Sequence, residues 1–143
     1  MNKKRALEKK GFSVNRTHWD NKDYDWSNTR FALFRATWDY FDRFDEFSKW
    51  LNQTSRRTQF INPIETILWN LDKHYLKEFD NCGINIPNTV FVEKGDSRSL
   101  DQVLSTINWT VTILKPVISG AGRHTYKIEK EVLEELTQTY GQL

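Results

Sequence analysis

The fold is decided by the stretch Ile113-Leu114-Lys115-Pro116-Val117-Ile118-Ser119-Gly120-Ala121-Gly122-Arg123-His124-Thr125. An apolar run ends at Lys115, a proline follows, and a Ser/Gly loop leads into the alternating residues 126–128. Glycine lacks a Cβ and tolerates positive φ angles, so such a loop can bring backbone N–H groups close to phosphate oxygens. The layout indicates a polyphosphate site with Lys115 as a fixed positive charge. An ordinary hairpin turn is the alternative interpretation.

A second lysine, Lys73, lies upstream in the segment Trp69-Asn70-Leu71-Asp72-Lys73-His74-Tyr75-Leu76. Two lysines on separate elements around a glycine loop favour a nucleotide site, although a helical lysine is more often a solvated surface residue. The loop has no Walker pattern and does not open a helix as a dinucleotide-binding glycine motif would. The prediction therefore depends on Lys73, Lys115 and the loop taken together.

Composition limits the classes of protein that remain. The chain has 143 residues, 38% hydrophobic and 14% aromatic, which is enough for one domain or two small lobes with a buried core. A net charge of +2 does not require a nucleic-acid or membrane partner. No apolar run approaches the roughly 20 residues of a membrane-spanning helix, and the charged N-terminus does not read as a signal peptide.

The single cysteine, Cys82, cannot form an intrachain disulfide, which favours a reducing, cytoplasmic setting. It has no histidine partner nearby in the sequence, so we expect a buried, unreactive thiol. The three histidines are His18, His74 and His124, and their separation does not match any metal-ligand spacing. The sequence therefore predicts no metal ligands in this chain.

Hydrophobic periodicity predicts alternating helices and strands. The first half reads as a helix at 1–10, a strand at 12–15, a polar loop at 18–30, a buried parallel strand at 31–34, a helix at 42–52 and a strand at 59–61. After Asn62-Pro63, where we expect a boundary between two lobes, the second half reads as one helix at 63–79, a strand at 89–92, a helix at 98–107, strands at 110–114 and 126–128, and a helix at 130–139.

Five short segments follow one another in a particular order between residues 10 and 128. They are Arg35-Ala36-Thr37-Trp38-Asp39-Tyr40, Asn62-Pro63, the segment 69–76, Ile86-Pro87-Asn88-Thr89, and Leu114-Lys115-Pro116 with its Ser/Gly loop. In this order and spacing the chain resembles the ATP-grasp superfamily, and most of all the carboxylate–amine ligases related to glutathione synthetase and to the cycloserine-forming ligase. The resemblance implies an α/β (α+β) fold: a partial Rossmann-like pre-ATP-grasp domain at 1–61, followed by the N-terminal lobe of an ATP-grasp domain at 62–143.

The resemblance also implies roles for particular residues. Lys73, from a central helix, and Lys115, from the strand before the loop, would contact nucleotide phosphates. The mobile loop that closes over the phosphates would consist of Ser119, Gly120, Ala121 and Gly122. The implied chemistry is ATP-driven activation of a carboxylate as an acylphosphate, followed by attack of an amine or similar nucleophile.

Departures from the family pattern are equally informative. Mg²⁺ is expected in the full-length enzyme, but the acidic and Asn ligands of the later lobe have no counterpart before Leu143. The first strand of a Rossmann-like domain is also missing. We therefore expect a fragment, a partial gene product or a degenerate member that is inactive by itself. A truncated lobe should expose apolar faces, including that of the helix at 130–139, and so promote self-association.

A substrate site is predicted where the strand at 31–34 ends. Arg35, Trp38 and Asp39 follow the carboxyl end of this strand, the edge at which open α/β sheets bind ligands. The alternative is a structural corner between strand and helix, with Trp38 and Tyr40 buried between lobes. The sequence identifies neither the carboxylate nor the nucleophile.

Three functions stay open on the sequence. The first is the ATP-binding portion of an ATP-grasp ligase. The second is a non-catalytic interaction protein that keeps the fold without the chemistry. The third is a nucleic-acid-binding module, for which Lys3-Lys4-Arg5 and Arg56-Arg57 supply charge. The scattered basic residues and the core periodicity of the aromatic residues argue against the third.

Overall fold

A computed structural model of the protein describes residues 3–129, which form a mixed α/β structure. It consists of two compact units, Met1–Ile67 and Leu68–Leu143, and each is described by itself below. The helix expected at 130–139 lies outside the described residues. The assignment of residues 1–61 and 62–143 to a Rossmann-like part and an ATP-grasp lobe stays a prediction.

The helices are α1 (Lys3–Glu8), α2 (Phe44–Thr54), α3 (Ile64–Leu71), α4 (Tyr75–Asn81) and α5 (Leu100–Ser105), with one 3₁₀ turn at Trp26–Asn28. The strands are β1 (Phe31–Leu33), β2 (Gln59–Ile61), β3 (Val111–Leu114) and β4 (Tyr126–Glu129). No helix among residues 3–129 is both long and apolar enough to cross a bilayer.

The first unit is built around an aromatic cluster on one face of a two-stranded sheet. Strands β1 and β2 are parallel, as predicted, with Ala32 opposite Phe60. Helix α2 confirms the helix predicted at 42–52, and its Phe47 and Leu51 are 2% and 0% exposed. Phe34 stacks on Phe60 with ring centroids 5.2 Å apart. The buried residues of this cluster are Trp19, Phe47, Leu51 and Phe60.

The prediction that strand 31–34 is buried is wrong for half of its side chains. Side chains alternate along a strand, so those of Ala32 and Phe34 are half-buried. Phe31, Leu33 and Ile61 fall on the opposite side and are 40%, 48% and 48% exposed. A continuous apolar run is typical of a strand covered on both faces, and in the described residues only one face of this sheet is covered.

The second unit contains an antiparallel hairpin of β3 and β4, with Val111 opposite Glu129 and Leu114 opposite Tyr126. Ile128 of β4 and Val103 of α5 are buried. Helix α5 begins with a capping box, in which Ser99 Oγ accepts from the Gln102 N–H and Gln102 Oε1 accepts from the Ser99 N–H. Helix α3 packs against α4 through the Trp69 ring, which contacts the rings of Tyr75 and Phe79.

Three further sequence predictions are wrong. Residues 12–15 form no strand, because the Phe12 N–H is used to end α1 by donating to Leu7 O. Residues 89–92 form no strand either, since none of the four strands among residues 3–129 pairs with them. A strand propensity is realised only when a partner strand supplies the hydrogen bonds. Cys82 is exposed rather than buried.

We expect Leu51→Ala to lower the free energy of unfolding of the first unit by about 2–5 kcal/mol, because it opens a cavity beneath α2. Urea unfolding followed by tryptophan fluorescence measures the loss. The matched control is Gln53→Ala, an exposed position on the same helix. Equal stability of the two variants would contradict this description of the core.

Candidate functional site

The glycine loop is an ordered hairpin connection built from two consecutive turns. The Arg123 N–H donates to Gly120 O at 3.0 Å, and the Thr125 N–H donates to Gly122 O at 3.2 Å. Ala121 and Gly122 have φ angles of 53° and 73°, which is the left-handed region that two-residue hairpin turns require. The loop therefore contains a tight turn at Gly120–Arg123 within a longer connection between β3 and β4, which runs from residue 115 to residue 125. Its predicted contact with phosphate is a separate matter and stays a prediction.

Lys73 is bound directly to this loop. Its ammonium group donates to Pro116 O at 3.0 Å, to Val117 O at 3.0 Å and to Ser119 O at 3.1 Å. The Lys73 backbone N–H also donates to Val117 O, at 3.0 Å. A lysine ammonium has three donors, so these carbonyls use all of them. The structure thus brings together Lys73 and the segment that directly follows Lys115.

Lys73 does not lie within a helix, which corrects the prediction of one continuous helix at 63–79. Helix α3 ends at Leu71 and α4 begins at Tyr75. Between them, Asp72 Oδ1 accepts from the His74 backbone N–H at 2.9 Å, while the Lys73 N–H bonds to the loop. These two amides are therefore unavailable for the helical ladder, and the chain breaks there without a glycine or proline.

Positive charge accumulates at this break. Lys73 is half-buried, and Lys115 is exposed at the end of β3. Burial, together with repulsion from the Lys115 ammonium, lowers the pKa of Lys73 below its ordinary value of 10.5, although Asp72 opposes the shift. The acceptors that Lys73 contacts are neutral carbonyl oxygens. Two neighbouring cations, one of them bound to neutral acceptors, form an electrostatic environment that attracts an anion.

A charged cluster beside the break was not predicted from the sequence. His74 Nδ1 lies 2.6 Å from Asp72 Oδ1, and His74 Nε2 lies 3.2 Å from Glu93 Oε1. The imidazole stacks on Phe91 at 4.7 Å, and Lys77 pairs with Glu93 at 2.8 Å. Burial opposes ionisation of Asp72, but the hydrogen bonds from His74 outweigh it and lower the pKa of the carboxyl group. The one sequence signal for this cluster is the run of three consecutive ionisable residues, Asp72-Lys73-His74.

Metal binding finds no support in the described part of the chain. Residues 3–129 contain no group of three or more His, Cys, Asp or Glu side chains placed to hold a cation. An open cleft of about 480 Å³ lies beside α4, between Lys77, Phe91 and Trp109, and neither Lys73 nor Lys115 lines it. The two lysines and the loop therefore stay the candidate site of this unit.

The predicted substrate residues lie in the first unit. Trp38 is 63% exposed and Arg35 is also exposed. Asp39 is already engaged, because its carboxylate accepts from the Trp19 indole N–H at 3.0 and 3.2 Å and from Arg43 at 3.3 Å. These contacts give Asp39 a structural role at the corner after β1, but the expectation in that alternative that Trp38 is packed away from solvent is wrong. A substrate role for Arg35, Trp38 or Asp39 stays a prediction.

Comparison with known proteins finds similarity to a D-cycloserine synthetase. Residues 2–62 match the family model of the N-terminal domain of D-cycloserine synthetase DcsG. Over 88 residues the chain is 31% identical to the cycloserine biosynthesis protein DcsG of Streptomyces lavendulae, an alignment that covers 61% of this chain and 29% of that protein. The N-terminal part of the chain is therefore homologous to the N-terminal domain of that synthetase.

The same relative is found among solved structures. The crystal structure of D-cycloserine synthetase DcsG matches 98% of this chain with a TM-score of 0.83 and 23% sequence identity. At this identity the likeness shows the fold alone. The chain covers 48% of the crystallised protein, so it spans about half the length of this relative. The expected likeness to a cycloserine-forming ligase is confirmed as homology, and the finer functional assignments are taken up below as proposals.

Lys115→Met should raise the pKa of Lys73, because it removes the neighbouring charge. NMR titration of ¹³C-labelled lysine side chains measures this change, and Lys127→Met on β4 is the control. In the wild type the pKa of Lys73 is lower in the folded protein than in the unfolded chain. Between the lowered pKa of Lys73 and 10.5 the unfolded chain therefore binds more protons, and the free energy of unfolding rises with pH in that window. A pKa of Lys73 that does not move in Lys115→Met would show that the two groups are not coupled.

Asp39→Ala should lower the stability of the first unit by about 1–3 kcal/mol, because it leaves the indole N–H of the buried Trp19 without its acceptor. Urea unfolding measures the difference, and Asp23→Ala at an exposed site is the control. Unchanged stability in Asp39→Ala would argue against the structural role and favour the substrate role.

Proposed function

We propose that this chain is the ATP-binding portion of an ATP-dependent carboxylate–amine ligase of the ATP-grasp type. The observation that carries the proposal is the pair Lys73 and Lys115 at the Ser/Gly hairpin. All the observed hydrogen bonds of the Lys73 ammonium go to neutral carbonyl oxygens. Homology to the N-terminal domain of D-cycloserine synthetase DcsG supports a ligase-related role.

In this proposal the chain's own residues bind and orient the nucleotide. Lys115, exposed at the end of β3, contacts the phosphates first, and Lys73 adds a second positive charge at the loop. Gly120, Ala121 and Gly122 present the loop backbone, and Ser119 adds a hydroxyl group. Phosphoryl transfer depends mainly on positioning and charge neutralisation, which are the contributions that such a site provides.

Several parts of the reaction belong to the proposed whole enzyme rather than to this chain. Mg²⁺ would neutralise phosphate charge, and residues 3–129 provide no cluster of ligands for it. The carboxylate substrate is assigned to the region after β1, with Arg35 and Trp38 as the candidates that are exposed. We further propose a cytoplasmic setting, with which the free, exposed Cys82 is compatible.

A second candidate function is a non-catalytic interaction protein, which exposed apolar side chains favour. Phe31, Leu33 and Ile61 on the first sheet and Val111 and Ile113 on β3 are between 40% and 53% exposed. Apolar side chains grouped on a strand face mark surfaces that other polypeptide chains cover. Under this function the two lysines would have no nucleotide to bind.

Calorimetric titration with ATP, with and without Mg²⁺, tests the proposal. We expect the wild type to bind ATP more tightly than AMP, because the lysines contact the terminal phosphates. Lys115→Ala should weaken ATP binding ten-fold or more, which is about 1.4 kcal/mol. The matched control is Lys127→Ala, which removes the same charge from the same hairpin at a residue paired with Glu129.

The outcomes separate the two functions. Binding that Lys115→Ala weakens and Lys127→Ala does not would support the nucleotide site. Absence of ATP binding by the wild type, or equal affinities of the two variants, would contradict it and favour the interaction protein.

A further inference from the structure

The loop that is proposed to close over the nucleotide is already bound by one of the proposed phosphate ligands. The Lys73 ammonium donates to the carbonyl oxygens of Pro116, Val117 and Ser119 at 3.0–3.1 Å. The Lys73 backbone N–H donates to Val117 O as well. One residue therefore holds the start of the loop through four hydrogen bonds.

We infer that Lys73 is a latch that holds the hairpin loop in the nucleotide-free protein and releases it when phosphate oxygens replace the loop carbonyls. This inference rests on the proposed function, because it describes how the same site is regulated. Lys73 therefore positions the loop in the nucleotide-free protein and contacts phosphate only after the loop is released. The latch consists of the four hydrogen bonds from Lys73 to Pro116, Val117 and Ser119.

Donor counting makes the latch and full phosphate binding mutually exclusive. The ammonium has three N–H donors, and three loop carbonyls accept from them. A phosphate oxygen can approach Lys73 with ideal geometry only after at least one carbonyl has been released. An anionic phosphate adds a Coulombic attraction to the ammonium that a neutral carbonyl does not supply, so it can displace a carbonyl.

The charges around the latch favour this exchange. Lys115 repels the Lys73 ammonium, and carbonyl oxygens do not cancel that repulsion as an anion would. Lys115 is exposed, so it can meet an incoming polyphosphate before Lys73 is free. The bound anion then lies between two cations, which removes the repulsion and compensates for the lost carbonyl contacts.

The two ends of the latch differ in how they are held. On one side, Lys73 lies in the turn that Asp72 and His74 fix, and His74 in turn contacts Glu93. On the other side, the loop holds itself together through its own turn, in which Arg123 donates to Gly120 O. Breaking the latch therefore leaves both the turn around Lys73 and the turn of the loop intact. The hairpin loop can then separate from Lys73 without unfolding.

Amide hydrogen exchange measured by NMR tests the latch in the protein without ligand. The reporter is the backbone amide at position 73, which donates to Val117 O. Lys73→Met keeps this amide but removes the ammonium, and we expect its exchange to rise about ten-fold, as local opening becomes easier. Cleavage by an arginine-specific protease after Arg123, in the exposed loop, should accelerate in parallel. Lys127→Met is the matched control and should match the wild type.

Folding of the variant is checked in the same spectra. Exchange of the β3–β4 ladder amides should be unchanged in Lys73→Met, because the strands pair through their own backbone. Lys73→Arg is the second variant: it keeps the charge but presents a planar fork, so it should restore part of the protection. Unchanged exchange at position 73 and unchanged cleavage in Lys73→Met would overturn the latch.

Addition of ATP with Mg²⁺, or of inorganic tripolyphosphate, tests the release. The wild type should show faster exchange at position 73 and faster cleavage after Arg123 when the anion is bound, whereas Lys73→Met should show no further change. Binding by calorimetry with unchanged exchange would overturn the latch and leave the proposed function standing. Absence of ATP binding, with faster exchange in Lys73→Met, would overturn the proposed function and leave the loop-holding role of Lys73 standing.

Discussion

The second unit depends on one half-buried ammonium group. Lys73 Nζ is bound to three carbonyl oxygens of the hairpin loop, and this set of contacts explains several features at once. The backbone N–H of Lys73 turns to Val117 O, so the helical ladder stops and α3 and α4 separate. The loop after β3 is thereby fixed beside Lys115. The proposed nucleotide site and its proposed obstruction therefore involve the same contacts.

The first unit has a comparable charged centre in Arg43. Its guanidinium pairs with Asp20, Asp39 and Glu46 and lies over the Trp19 ring, 4.6 Å from the centroid. The hydrogen bond from Arg43 lowers the pKa of Asp20, so this ion pair loses its contribution as pH falls through the lowered pKa of Asp20. The network orders the chain that follows β1, which is where a substrate site is proposed. Arg35 and Trp38 therefore belong to a segment that the Arg43 network orders.

Local sequence signals predicted the elements whose hydrogen bonds are local. Hydrophobic periodicity predicted α2, and it also predicted the helix at 98–107 of which α5 forms the central part. Lys115 was named from the sequence because a cation beside a glycine loop is a recognisable pattern, whereas Lys73 was named mainly from the resemblance to a known family. The break at Lys73 could not be predicted, since its acceptor Val117 is 44 residues away. The same reason explains why residues 89–92 were wrongly given a strand.

The sequence by itself determined which segments could be helical, where a hairpin loop lies and which cations flank it, because propensity, capping and glycine placement act over a few residues. Tertiary structure alone decided that Lys73 binds the loop, that Asp39 binds Trp19, and that Phe31 and Leu33 are exposed. These outcomes depend on which distant groups meet in space. A lone side chain has several acceptable partners, and only the packed fold selects one by distance, geometry and burial.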